Sequence, residues 1–289
     1  MVLKPNHSTE HPQGEIVPTD TSVGKALSLL GAFRNSTGTA TLTELSRWTG
    51  LPKSTAHRLL GLLCKAGFVC RADNVYFLRS SVMELGAMAL GDNARTLRET
   101  AMPFMYELSH ATRQTVHLAV LDGCDVVYLE KLHGHTTVVV PSRVGSRLPA
   151  HASALGKVLL AHTPPGQVAA VLKRPMRRLT PRTVSAPNQL AGALEQVRRD
   201  GLAHDYEEVR EGVSCVAVPI RGASGSVVAA VSVCGWTRDL RGGRLDRVTL
   251  RAAHAISNAW AARGVDDPVW NHAVQASSKI TEFPVGNVG

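Results

Sequence analysis

At 289 residues the chain exceeds what one compact core ordinarily holds, so two domains are expected. Hydrophobic residues make up 44% and charged residues 19%, which excludes a wholly disordered chain, and no apolar run approaches the roughly 18 residues of a membrane span. The net charge of +9 is concentrated: between Ser22 and Ser80 stand eight Lys and Arg against two Asp and Glu, the footprint of a polyanionic partner, although an Arg-rich composition throughout is a second explanation.

Residues 1–21 carry Pro5, Pro12 and Pro18 without apolar periodicity or a leader-like apolar segment. They are expected to form a disordered arm on a cytoplasmic protein with no membrane partner. From Ser22, read as an N-cap, Val23, Ala26, Leu27, Leu30 and Phe33 recur at helical spacing. Thr41 and Glu44 have the spacing of a capping box and open a short helix that stops at Gly50. Leu51-Pro52 begins a third helix, with Pro at the first helical position, that ends at Gly67. Its Ala56, Leu59, Leu60 and Leu63 stripe faces a core, while Lys53, Ser54, His57 and Arg58 point the other way and Thr55 sits at the edge. Phe68–Arg71 and Val75–Leu78 are two strands joined by Ala72-Asp73-Asn74. Three helices and a hairpin across residues 22–80 make a winged helix-turn-helix.

Residues 81–94 are expected to be a linker helix, broken near Gly91-Asp92-Asn93 from a further helix with Leu97, Ala101, Met105 and Leu108. Over residues 95–264 strands are expected at Val116–Leu121, Val126–Leu132, Thr136–Val140, Ser214–Ile220 and Ser226–Cys234. Helices are expected at Ser153–Ala161, Gly166–Leu172, Asn188–Asp200 and Leu245–Arg263. The fold class is therefore α+β, with an antiparallel sheet flanked by helices, followed by a loose tail over residues 265–289.

In a helix-turn-helix the N-terminal residues of the second helix reach base edges in the major groove. Arg58 suits a bidentate guanine contact, Ser54 and Thr55 a base or phosphate, Lys53 a phosphate, and the free amides at the helix start another phosphate. Candidate DNA contacts are Ser22, Lys25, Thr43, Lys53, Ser54, Thr55, His57 and Arg58 on double-stranded operator DNA. A solvated polar face on a core helix is the alternative for any one of them.

The five cysteines, Cys64, Cys70, Cys124, Cys215 and Cys234, are odd in number and never spaced C-x-x-C. Reduced thiols are expected, not a disulfide framework or a zinc ribbon. His117, His133, His135 and His151 raise a metal reading, but no H-E-x-x-H accompanies them, so no metal, cofactor or catalytic residue is assigned. Asp205 with Glu207 and Glu208 resembles an acid/base cluster without a nucleophile; the carboxyl of Asp205 suits a ligand hydroxyl or a solvated loop. Small residues over Ala150–Gly156 open a helix whose amides suit a carboxylate, or serve close packing.

The stretches SVGKALSLLGAF and LTELSRWTGLPKSTAHRLLGLLCKAGFV, then LPAHASALGKVLLA, GLAHDYEEVREGVSCVAVPI and GSVVAAVSV, resemble the IclR family of bacterial regulators over about Ser22 to Arg263. The resemblance implies a GAF-like effector-binding domain over residues 95–264, a small metabolite, commonly an organic or aromatic acid, as effector, and self-association as a dimer or a dimer of dimers. It places the effector against Gly145, Ser146, Ala154, Leu155, Asp205, Cys215, Ser232 and Cys234. Cys234 stands where the family often has Ser, and Leu155 where Ala is common, which implies a less polar pocket. Gly24-Lys25 replaces the usual Glu-Arg, and the wing ends Phe77-Leu78-Arg79-Ser80 where Leu-Gly is usual. The implied function is a ligand-responsive transcriptional regulator. The competing reading is a GAF-type thiol oxidoreductase, or a thiol-based redox-sensing regulator, using Cys215.

Overall fold

The computed structural model describes residues 20–36, 38–135, 140, 142–240 and 243–265. The expected arm, the tail and the strand at Thr136–Val140 fall almost wholly outside these residues. The chain divides into two compact units, Met1–Gly91 and Asp92–Gly289.

The first unit opens with α1 (Ser22–Ala32), capped by Thr21 and not by Ser22. Thr21 is the last extended residue, so its hydroxyl, and not that of Ser22, reaches the Gly24 amide at 3.0 Å. A short strand, β1 (Thr39–Thr41), then precedes α2 (Leu42–Thr49). The capping box forms: Thr41 Oγ1 accepts from the Glu44 amide at 3.3 Å and a Glu44 carboxylate oxygen accepts from the Thr41 amide at 2.8 Å. That backbone bond, helped by the Thr41 hydroxyl, holds the Glu44 carboxyl below its ordinary pKa. Gly50, at φ 69°, ends α2 in the left-handed region. Pro52 remains extended at ψ 141° and caps α3 (Lys53–Lys65) from outside, one residue before the place expected for it.

Strands β2 (Val69–Ala72) and β3 (Val75–Leu78) form the wing, and β1 pairs with β3 to give the sheet order β1-β3-β2. Leu29, Phe33, Leu45, Leu59, Leu60, Val69 and Tyr76 close one core beneath the three helices. The helical run α4 (Ser80–Thr112) breaks at Gly91, whose φ of 68° and ψ of 164° no helix can accommodate.

The second unit is a six-stranded sheet in the order β6-β5-β4-β9-β8-β7, every neighbouring pair antiparallel. Its strands are β4 (Thr115–Asp122), β5 (Asp125–Leu132), β6 (Arg147–Pro149), β7 (Ala203–Tyr206), β8 (Val213–Arg221) and β9 (Val227–Trp236). Residues Val213 to Ile220 of β8 are all buried, so both faces of the sheet are covered. Helices α5 (Ala154–Ala161), α6 (Pro165–Lys173) and α7 (Pro187–Asp200) close one core over Ala119, Tyr128, Ala217 and Ala230. Helix α8 (Arg244–Ala261) lies against β8 and β9 with Ala253, Ile256 and Trp260 buried.

All eight residues of α5 are buried, including Lys157. A buried lysine needs a partner, and its Nζ lies 2.5 Å from Glu208 Oε1. Helix α5 can sit this deep because Gly156 presses on the backbone of Ala150, where a Cβ would overlap the Ala150 carbonyl. Gly156→Ala is therefore expected to destabilise the second unit by about 1–3 kcal/mol, the usual range for overpacking a tight core. Urea unfolding followed by a probe in each unit checks this, with the first unit's transition unchanged.

Candidate functional site

In α3 the sequence of exposures follows the helical period. Ala56, Leu59, Leu60 and Leu63 are buried, whereas Lys53, Ser54, His57 and Arg58 are exposed and Thr55 is half-buried. Pro52 gives the helix no side-chain cap, and the first amide bonded back is that of Ala56, to the Pro52 carbonyl at 2.9 Å. The amides ahead of it, beside Lys53 and Ser54, have no carbonyl partner within the helix, which suits an anion. The turn before α3 is fastened by Ser46 Oγ donating to the Leu51 carbonyl at 2.6 Å. Thr43 on α2 and Ser22 on α1 are exposed, and Lys25 is half-buried. In the wing, Arg71 donates to the Asp73 carbonyl at 2.8 Å and stands 5.6 Å from the centre of the Tyr76 ring.

The second unit holds a cavity of about 380 Å³ of space, part of it open to solvent, between the N-terminus of α5 and the strands. Six of the eight residues expected to meet an effector line it: Ala154, Leu155, Asp205, Cys215, Ser232 and Cys234. Gly145 and Ser146 do not. They form a turn beside β5, where the Gly145 amide donates to the Tyr128 carbonyl at 2.8 Å and the Ser146 carbonyl accepts from the Tyr128 amide at 3.2 Å. Their contribution is to fix Tyr128, itself a lining residue that the sequence reading passed over together with Ser153, Val209 and Arg210. Ser153 was legible in principle, since it is the N-cap of α5 and accepts from the Gly156 amide at 3.0 Å.

The wall carries few polar groups, each with a defined state. Burial pushes the Asp205 carboxyl up to about 7; the Glu208 amide that donates to it at 2.6 Å only partly opposes this. His117 lies behind the wall, fully buried, with Nε2 2.7 Å from Ser142 Oγ and Nδ1 3.6 Å from Cys234 Sγ. Burial pushes its pKa down to about 3, so the ring is neutral at physiological pH. Its ring leans on Tyr128 with centroids 5.1 Å apart. Burial also raises the Tyr128 phenol above its ordinary value. His151 is engaged with the Arg177 carbonyl at 3.0 Å, and no group of three or more His, Cys, Asp or Glu able to hold a metal occurs among the described residues.

The cysteines depart from expectation. Cys215 and Cys234 are joined as a disulfide, because the β8–β9 register sets them directly opposite one another with Cα atoms 4.2 Å apart. Reduced thiols remain at Cys64, Cys70 and Cys124.

Comparison with known proteins covers both units. A model described as the IclR helix-turn-helix domain matches residues 22–73, and one described as the bacterial transcriptional regulator IclR C-terminal domain matches residues 93–258. The chain is 37% identical over 224 residues to the HTH-type transcriptional regulator XynR of Escherichia coli, covering 76% of this chain and 88% of that one. It is 36% identical to E. coli KdgR over 66% of this chain and 73% of the other. Among solved structures, an IclR homolog from Microbacterium hydrocarbonoxydans complexed with 4-hydroxybenzoate matches with TM-score 0.71 and 31% identity, over 84% of this chain and 100% of that one. The Thermotoga maritima IclR structure matches with TM-score 0.66 and 28% identity, over 83% and 98%. These relatives are transcriptional regulators and give the thiol oxidoreductase reading no support.

The raised pKa of Asp205 makes a pH prediction. Its folded value near 7 exceeds its ordinary 3.8, so between these limits the folded state binds the extra proton and Asp205's contribution to stability falls as pH rises. Relative to the wild type, Asp205→Asn is expected to gain stability progressively from about pH 4 to 7 and level off above that. Thermal unfolding of both proteins across this range reads the difference, and parallel curves would show that Asp205 is ionised throughout.

Proposed function

The chain belongs to the IclR family of bacterial transcriptional regulators, with a DNA-binding helix-turn-helix and a C-terminal effector domain, and from that premise we propose how its own residues read DNA and sense a small molecule. Residues Lys53, Ser54, Thr55, His57 and Arg58 enter the major groove of an operator, with Arg58 reading a base and Lys53 and the free α3 amides holding phosphate. Ser22, Lys25 and Thr43 support this contact from α1 and α2.

The effector is a small hydroxylated organic acid. The observation that carries this is the cavity's lining: the amides at the start of α5, beside Ala154 and Leu155, suit a carboxylate, and Asp205, 2% exposed, can accept from or donate to a hydroxyl. Tyr128, Leu148, Leu155 and Val213 supply an apolar wall suited to a ring. The neighbour complexed with 4-hydroxybenzoate supports the same class. A thermal-shift comparison of 4-hydroxybenzoate, benzoate and 4-hydroxybenzamide tests it: the hydroxy acid raises the midpoint most, and equal response to all three would reject the two-ended reading.

Self-association is proposed through the first unit, where Val23 and Leu27 of α1 and Met83, Leu85 and Met88 of α4 are exposed large apolar side chains, Met88 at 78%. Among the described residues no helix is long and apolar enough to cross a membrane, and the proposed place of action is the cytoplasm, with the DNA.

Two substitutions separate reading from holding. Arg58→Ala is expected to cost about 1–3 kcal/mol of discrimination between the preferred duplex and a scrambled one. Lys53→Ala is expected to weaken both duplexes alike and lower the slope of log affinity against log salt by about 1. Fluorescence anisotropy on a duplex enriched by the protein from a random pool measures both quantities.

A further inference from the structure

The end of α6 and the segment joining it to α7 carry Lys173, Arg174, Arg177, Arg178 and Arg182 within ten residues and no acid. All five are exposed. On a loose loop such a run would be no more than a solvated face, but this loop is firmly built. Met176, Leu179 and Val184 pack against the core of the second unit. The Thr183 hydroxyl donates to the Glu208 carbonyl at 2.6 Å, and the Thr180 hydroxyl to the Glu207 carbonyl at 2.7 Å. The amides of Leu179 and Thr180 donate to Thr183 Oγ1 at 3.0 and 2.9 Å, and the Arg177 carbonyl accepts from His151.

Internal roles account for only part of the charge. Arg182 stands 3.6 Å from Glu207, and Lys173 favours the C-terminal end of α6. Arg177 and Arg178 have no carboxylate within ion-pair distance among the described residues, and Arg178 meets the Ser185 hydroxyl at 3.3 Å. Two outward guanidinium groups are thus held on a scaffold that is ordered before any partner arrives.

We infer that this loop is a second polyanion-binding surface, separate from the helix-turn-helix, that takes the phosphate backbone of duplex DNA. The guanidinium fork matches phosphate oxygens in pairs, and a rigid scaffold loses little conformational entropy on contact. Duplex DNA is favoured over an acidic protein because the same chain carries a helix-turn-helix domain, so duplex is a polyanion that the chain already engages. The loop also hangs from the carbonyls of residues 207 and 208, next to Val209 and Arg210 in the cavity wall, so occupancy of the cavity and of this surface share a support.

The test uses the full chain in four forms: wild type, Lys53→Gln with Arg58→Gln, Arg177→Gln with Arg178→Gln, and all four substitutions together. All the changed side chains are exposed, and an unchanged thermal midpoint confirms the fold. Anisotropy with a short duplex of arbitrary sequence is read between about 50 and 200 mM salt. With the reading helix disabled, weak salt-dependent binding is expected to persist. Adding the loop substitutions is expected to lower it about tenfold and to reduce the salt slope by about 2, close to 0.9 for each phosphate no longer neutralised. The inference is overturned if no binding survives disabling the reading helix, or if the surviving binding ignores the loop substitutions. It is equally overturned if those substitutions abolish binding of polyglutamate while leaving the duplex unaffected.

Discussion

A lysine and a glutamate, each 5% exposed, meet inside the second unit, and much of the cavity depends on that meeting. Burying either charge alone would cost several kcal/mol, so α5 cannot sit against the sheet unless Glu208 comes to Lys157. Bringing Glu208 inward fixes the segment after β7. Its amide then donates to Asp205, and its carbonyl accepts from Thr183. One residue therefore joins helix α5, the end of β7, the basic loop and the cavity wall. The second carboxylate oxygen, Glu208 Oε2, is buried without a hydrogen-bond partner among the described residues, as is Trp260 Nε1 on α8, and of the two only Glu208 carries charge.

The first unit is organised on simpler terms. Its elements are delimited by caps and glycines within a few residues of one another, and its polar face follows from the apolar stripe of α3 by helical period alone. The basic side chains Lys53 and Arg58 on that face are exposed, as a surface for phosphate requires. The second unit differs: it buries a lysine and a glutamate beside a small cavity while its basic loop stays exposed.

That contrast explains what could be read from the sequence. The winged helix-turn-helix was legible because capping boxes, helical stripes and a hairpin turn are local signals. The long strands and the break at Gly91 were legible for the same reason. Strands β1, β6 and β7 were not: they are as short as β2 and β3 or shorter, but no tight hairpin turn marks them in the sequence, so only pairing defines them. The Cys215–Cys234 link also escaped: the two are 19 residues apart, and the strand register that opposes them has no spacing signature. Lys157 and Glu208, 51 residues apart, are a still longer-range example. Gly145 and Ser146, named through family resemblance, do not line the cavity; they sit in a turn at the surface whose backbone is engaged by Tyr128.

The proposed function requires coupling between the cavity and the reading helix. The most direct measurement takes an acid that raises the protein's thermal midpoint and determines affinity for the enriched duplex with and without it at saturation. A change of about 5- to 150-fold, matched by an equal change in acid affinity when the duplex is bound, is the expected result. Identical duplex affinity with the cavity demonstrably filled would contradict it.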